Sequence, residues 1–438
     1  MSWSGPPGRA AGTGGSRLPA RLPGSLVTLL VVAALLRMAG LASPGHAGDI
    51  NAFMQWAEGV ARSGLGGYYA QGGDANYPPM LYLLWPLGVA LDGAQLAFAI
   101  RVLSVPFDLA LGWLLYDLVA RVTGRERDGL LAAAFYLLNP AVLIVGPIWG
   151  QVDGMGALPM VASIVAVARR REFLAGALAV VAGLVKPQFG IAAFTLLGLG
   201  LFWLRSRQGW RRLALLGIGA AAAFVIVLAP LGLWPLSYLK IMSDTFTRYP
   251  YISQFGFNPW GVVFGFGDRD EQWFRIGTAL GAAGIAGSLW LLRRRRDLVG
   301  VLGVGVLIGL AIYYLPTRVH ERYLFGAVAL LAPLAVLEPR LRWPFVALSL
   351  AFFGSLVYVL VTSPYRILPT PQLAAFPDWA ISVMSAIVTA AGAWAAWRVI
   401  ALFRGESRLD AGPPVGEAAQ TSSWRYGGAD IDRWEARA

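Results

Sequence analysis

Long apolar runs, separated by short arginine-rich links, recur along the whole chain. The runs fall at about 23–43, 96–120, 129–148, 153–168, 173–186, 188–204, 213–233, 276–292, 297–315, 323–338, 343–361 and 378–400. Roughly 20 apolar residues, rising about 1.5 Å each, cross about 30 Å of hydrocarbon. The pattern therefore predicts an all-α, polytopic membrane protein with about twelve transmembrane helices. The links Arg121–Arg127, Arg169–Arg171, Arg205–Arg212, Arg293–Arg296 and Arg340–Arg342 carry the positive charge that favours a cytoplasmic position. Both termini then lie inside.

One apolar segment resists this scheme. Pro79–Leu91 is short and interrupted by Pro86. Counting it as a span would turn Arg121–Arg127 and Arg169–Arg171 outward, so it is expected to lie on, or dip into, the outer surface. The first outer loop, 44–95, is then large and structured. A second, 234–275, is rich in Trp, Tyr and Phe, residues that commonly anchor at a membrane interface. The resulting organisation is a tail at 1–22, a membrane module at 23–235 that carries the outer loop 44–95, a second stretch at 236–403, and a tail at 404–438. Both tails are polar and are expected to be disordered and cytoplasmic. The run from Leu22 is too long for a signal peptide and lacks an evident small-residue cleavage site.

Composition agrees with a membrane protein. Hydrophobic residues make up 57% of 438 and charged residues 14%, whereas soluble domains carry roughly 25% charged. The net charge of +12 sits mostly in arginines of the links, which suits a cytoplasmic face and no nucleic-acid partner. The absence of cysteine excludes disulfides, thiolate metal sites and thiol nucleophiles. Two histidines, His46 and His320, leave little scope for a His-based metal site. The arginine- and alanine-rich composition suggests a prokaryotic cell membrane.

The conspicuous polar motifs all fall on the outer side of this topology. They are Asp49; Asn76-Tyr77-Pro78-Pro79; Trp149-Gly150-Gln151-Val152-Asp153; Lys186-Pro187-Gln188; Asn258-Pro259-Trp260; and Arg318-Val319-His320-Glu321-Arg322-Tyr323. A carboxylate at the bilayer edge is costly to desolvate, so Asp49 is either a functional acid or a solvated loop residue. Asp74 and Glu58 in the same loop read as surface acids. Pro78 and Pro79 hold the chain extended before a short helix. Asp153 is either a helix cap near Gly154 or a site residue. Lys186 interrupts an apolar stretch and is one of only two lysines, the other being Lys240; it either snorkels or serves a site. Arg318, His320 and Arg322 make a candidate phosphate cradle, unless Glu321 neutralises an arginine in a plain interfacial network.

Together these groups supply one carboxylate able to accept a proton and several cations able to hold an anionic leaving group. Those are the needs of a sugar transfer from a lipid phosphate. No Gly-rich phosphate loop points to a soluble nucleotide donor. The ordered set Gly48-Asp49-x-x-Ala52-x-x-x-Trp56, Tyr77-Pro78-Pro79, Lys186-x-Gln188 and Val319-His320-Glu321-Arg322 resembles the GT-C superfamily of membrane glycosyltransferases. It is similar to the dolichyl-phosphate-glucose glucosyltransferases of N-glycan assembly, and to bacterial mannosyltransferases related to the GPI-anchor pathway. The resemblance covers about residues 45–325. It implies a first outer loop carrying a catalytic acid at Asp49, a polyprenyl-phosphate sugar donor and an inverting transfer on the outer face. By the same resemblance Lys186, Gln188 and His320 fall where donor-side residues are expected. Taken with the reading of the residues themselves, the candidate donor-phosphate contacts are Lys186, His320, Arg322 and Arg318, supported by Gln188, Tyr77, Asp153, Gln151 and Glu321. Arg322 stands where the eukaryotic branch has lysine, and Asp153 departs from that branch, which weakens a choice of glucose over mannose. No cofactor is expected. A divalent metal, used by the related oligosaccharyltransferases, has one secure acid to bind it, whereas such ions need several oxygen ligands. The expected acceptor is a glycolipid, a glycan or a polymer.

Two rival readings remain at the level of sequence. A secondary transporter or lipid flippase should carry charges near mid-membrane and repeated halves, whereas these charges sit at helix ends and no repeat is evident. A non-catalytic membrane assembly protein would scatter Asp49 and His320 into different helix packs.

Overall fold

The computed structural model describes residues 22–362 and 375–405. The expected tails at 1–22 and 404–438 lie almost wholly outside the described residues. Among the described residues the fold is helical, with isolated β-bridges near His320 and between Tyr251 and Arg269.

The first helix, α1 (Gly24–Gly40), leads to α2 (Ala47–Gly67) and α3 (Pro78–Ala90), which pack on each other. Next, α4 (Gly93–Val102) runs into α5 (Ser104–Thr123). A bent unit follows, made of α6 (Glu126–Leu137), α7 (Pro140–Leu143) and a π-helical turn at Ile144–Ile148. Then come α8 (Asp153–Ala168), α9 (Glu172–Val185), α10 (Ile191–Trp203) and α11 (Arg207–Leu228). The aromatic-rich stretch expected as a second outer loop holds α12 (Pro235–Thr247) and α13 (Pro259–Phe264). The rest of the bundle is α14 (Phe274–Trp290), α15 (Leu298–Tyr314), α16 (Phe325–Leu337), α17 (Arg342–Thr362) and α18 (Asp378–Ala401).

Each expected apolar run coincides with a helix, but not every one of these helices is long enough to cross a membrane by itself. Among the described residues five stretches are long and apolar enough to cross a membrane: Gly93–Thr123, Arg207–Leu231, Phe274–Arg293, Pro339–Thr362 and Asp378–Arg404. The pair Glu126–Leu137 and Pro140–Ile148, bent by 49°, makes a sixth if read as one broken span. The remaining apolar helices have 10–17 residues. The reason is local. Apolar runs in sequence include residues that the chain spends on caps, breaks and short 3₁₀ turns, as Asn139 does by capping α7.

Small residues set the packing. A Cβ on Gly176 would collide with the carbonyl of Leu216, and one on Gly219 with that of Phe173, so α9 and α11 approach backbone to backbone. At the centre, α15 and α16 are buried on nearly every face. The α2–α3 pair packs through Phe53, Trp56, Met80 and Leu84 onto the ends of α8 and α9 at Met155 and Leu184. That contact fixes the first loop over the bundle.

Three of the five arginine links meet at one end. Arg121 and Arg169 share Asp117 at 2.6 Å each, and Arg212 pairs with Glu172 at 2.7 Å. Because α8 begins at Asp153 and ends beside Arg169, the links and the polar motifs lie at opposite ends of α8. Its 16 residues place them about 24 Å apart along the axis.

Candidate active site

Asp49 stands in the first turn of α2, where a carboxylate complements the helix N-terminus. His46 caps that helix: its Nδ1 accepts the Asp49 backbone N–H at 3.2 Å. The Asp49 side chain remains 25% exposed. Its Oδ2 accepts the indole N–H of Trp149 at 2.6 Å and pairs with Arg322 Nη1 at 3.2 Å. Burial pushes this carboxyl up, but Arg322, His46, Trp149 and Gln151 outweigh it, and the net shift is well below the usual carboxylate range. Asp49 is ionised at neutral pH.

Arg322 follows α15 in a short 3₁₀ turn, Glu321–Leu324. Its Nη1 also lies 3.0 Å from Glu321 Oε1, and its guanidinium sits 4.8 Å over the Trp149 ring. Glu321 therefore does neutralise an arginine, and that arginine also reaches Asp49. His320 is half-buried between Tyr249 and Tyr323. Burial and the Arg322 charge hold its imidazole down at about 3, so the ring is neutral. It can donate or accept a hydrogen bond but does not add the positive charge expected of it.

Lys186 ends α9 because Pro187 follows it. Its Nζ, 1% exposed, donates to Asp153 Oδ2 and to Gln151 Oε1, each at 2.7 Å. The snorkelling alternative is thus ruled out. Gln188 Nε2 reaches the other Asp153 oxygen at 3.4 Å. Asp153 is the first residue of α8, with Val152 at the cap position, so its carboxylate serves Lys186 instead of capping the helix. Tyr77 begins the turn into α3, edge-on to Trp56, with Lys186 Nζ 5.4 Å from its ring centroid.

Arg318 stands apart. Its positive φ of 62° turns it away from its neighbours, and it grips Asp270 through two bonds of 2.7 and 3.0 Å. It also donates to the Phe246 carbonyl. Asn258 likewise holds the fold together, capping α13 and donating to the carbonyl of Tyr313. Asp74 is the surface acid expected, held by Trp56 and Arg248.

Sequence reasoning missed two parts of this site. Trp149 was visible only as a member of a motif and His46 only as one of two histidines, yet their rings stack at 5.1 Å and both touch Asp49. Beneath them, Arg37 of α1 pairs with Asp108 of α5 at 3.0 Å, and Tyr136 of α6 donates to the same carboxylate at 2.6 Å. All three are buried, and a Cβ on Gly154 would strike Asp108. The available signal was a lone charge inside an apolar run, at Arg37 and at Asp108.

The sequence model of glycosyltransferase family 87 matches residues 76–316. The chain belongs to glycosyltransferase family 87. With its long apolar helices, it is a membrane glycosyltransferase of GT-C type. No curated protein sequence matches it. The matched region of this family-87 chain contains Tyr77, Gln151, Asp153, Lys186 and Gln188, whereas Asp49 and His320–Arg322 lie on either side of it. Trp149, inside the region, is what both flanks touch.

Proposed function

We propose that this membrane glycosyltransferase transfers a hexose, mannose or glucose, from a polyprenyl-phosphate donor to an acceptor hydroxyl, with inversion. The observation that carries the reading is the Asp49–Arg322 pair: a proton acceptor and a phosphate-binding fork 3.2 Å apart, both partly open to solvent. Asp49 takes the proton of the acceptor hydroxyl. The acceptor oxygen forms its bond to the sugar C1 while the C1–O bond to phosphate breaks on the opposite face. Polyprenyl phosphate leaves with the electron pair, held by Arg322 and by hydrogen bonds from neutral His320. Lys186, already engaged by Asp153, supports the site from behind together with Gln151 and Gln188. Tyr77 covers Lys186, and Arg318 stays at the rim.

A carboxylate paired with arginine is a weak base. Donor phosphate drawing Arg322 toward itself raises the basicity of Asp49 when the acceptor must be deprotonated. In the same reading the apolar helices make twelve spans, with both termini cytoplasmic and the site on the outer face. The module 23–235 carries the base and Lys186, and the stretch 236–403 carries Arg322.

The test is Asp49→Asn in membranes supplied with labelled polyprenyl-phosphate mannose or glucose and a total lipid and glycan extract. General-base loss is expected to slow transfer roughly 10²–10⁴-fold. Unimpaired transfer by a normally inserted Asp49→Asn protein overturns the assignment.

A further inference from the structure

We propose that Trp149 is a positioning residue for Asp49, its indole N–H pinning one carboxylate oxygen so that the other faces the acceptor hydroxyl. The inference rests on the proposed role of Asp49 and adds a residue to it.

The Asp49 Oδ2 takes the indole N–H at 2.6 Å, Arg322 at 3.2 Å and His46 at 3.3 Å, and Gln151 also hydrogen-bonds to the carboxylate. An arginine beside a carboxylate tends to take both oxygens in a fork. With Oδ2 shared by the indole, Asp49 cannot rotate into that fork without breaking its shortest bond. The indole therefore keeps the base out of an unproductive ion pair while leaving Arg322 within reach of phosphate.

The indole is itself held from several sides. It follows the π-helical turn Ile144–Ile148, and the Trp149 backbone N–H closes on the Ile144 carbonyl at 2.8 Å. Such turns are rare and are often found at functional sites. Arg101 braces the turn through the Pro147 carbonyl at 2.6 Å. Gly150, at φ +92°, reverses the chain immediately afterwards. The Trp149 carbonyl accepts from His46 N at 2.8 Å, the two rings stack, and Arg322 rests over the indole. Trp149 is 1% exposed, so these contacts leave it no freedom to swing.

The charged and titratable groups acting on Asp49 are His46 at the cap of α2, Arg322, His320 and Glu321 from the α15–α16 link, Lys186 at the end of α9, and Tyr77 at the start of α3. Losing the indole N–H removes a bond that favours ionised Asp49, which raises its pKa.

The experiment compares Trp149→Phe and Trp149→His in the full-length membrane protein, with labelled polyprenyl-phosphate mannose or glucose. Phe keeps a stacking ring and loses the donor, so kcat is expected to fall about ten- to hundredfold. The donor KM stays within about threefold, and the acid limb of kcat/KM moves to higher pH. His restores an N–H donor and should exceed Phe in kcat above its own pKa. A packing role predicts the reverse order, since Phe is the better apolar replacement. Trp149→Phe with wild-type kcat and an unmoved acid limb overturns the proposal. If Trp149→Phe fails to insert, Trp149→His decides alone: kcat above about a tenth of wild type supports the donor role, and anything lower overturns it. An active Asp49→Asn protein sinks the proposed function itself. An inactive Asp49→Asn beside an unimpaired Trp149→Phe sinks only the role of Trp149.

Discussion

Lys186→Met tests the buried half of the site. The Lys186 and Asp153 side chains are 1% and 0% exposed and meet at 2.7 Å. Removing the ammonium leaves the Asp153 carboxylate with one weak partner, Gln188 at 3.4 Å. Breaking one side of such a pair costs about 3–5 kcal/mol, most of it the penalty of a stranded charge. Asp153→Leu should cost a similar amount by stranding Lys186. The double variant removes both charges and replaces them with apolar groups of similar size, which is often near neutral. What it leaves is Gln151 and Gln188 without their partners, worth about 1–3 kcal/mol. The singles therefore predict a sum of about 6–10 kcal/mol, the double only about 1–3. Reversible unfolding in mixed micelles measures the cycle, and sugar transfer is assayed on the same samples. Stability should return in the double variant while transfer does not, since the charge behind the donor site is gone. Additive losses in the double variant would refute the reasoning.

Further outcomes follow from two other ion pairs, Arg322–Asp49 and Arg318–Asp270. Arg322→Met removes the main charge that lowers the Asp49 pKa, so the acid limb of kcat/KM should move to higher pH and the donor KM should rise. Arg322→Lys should restore the pH profile better than the KM, because lysine lacks the planar fork. Asp270→Ala releases Arg318 and Thr317, three hydrogen bonds in all. It should lower thermal stability by about 1–3 kcal/mol without moving the pH profile of transfer. Burial pushes the Asp270 carboxyl up, but bonds from Arg318 and Thr317 outweigh it and hold the group below the usual range. The stability it contributes is thus present above the ordinary carboxylate pKa and lost as pH falls through the lowered one, which thermal melts across acid pH will read.

The helices were legible because each apolar run must be satisfied by its own backbone hydrogen bonds. Where runs end was not: the break at Asn139 and the π-helical turn before Trp149 depend on tertiary packing that hydropathy does not carry. Asp49, Gln151, Asp153, Lys186, Glu321 and Arg322 were legible as a group, since polar residues at one end of a bundle have few places to go. Their pairing was not. Adjacency in sequence put Arg318, His320 and Arg322 in one cradle, but a positive φ at Arg318 directs it to Asp270. Burial then leaves His320 uncharged. Arg37 and Asp108 carried a readable signal, a charge inside an apolar run, and complete the layer beneath the site.

Taken as charges, the cluster is not a cation trap. Lys186 and Arg322 face three carboxylates, Asp49, Asp153 and Glu321, while His320 stays neutral. In the proposed mechanism a phosphate entering this group exchanges for an existing partner. Lys186 is held by two short bonds in full burial, so it is the harder partner to take. Arg322 is the easier one. It is 13% exposed, its bond to Asp49 is 3.2 Å, and its planar fork has donors enough to turn from a carboxylate to a phosphate. In that mechanism the exchange has a direction: as phosphate claims Arg322, Asp49 loses the charge that most depresses it. In the proposed mechanism, donor binding and base activation are then one event, so that a strong base is withheld until the donor is seated.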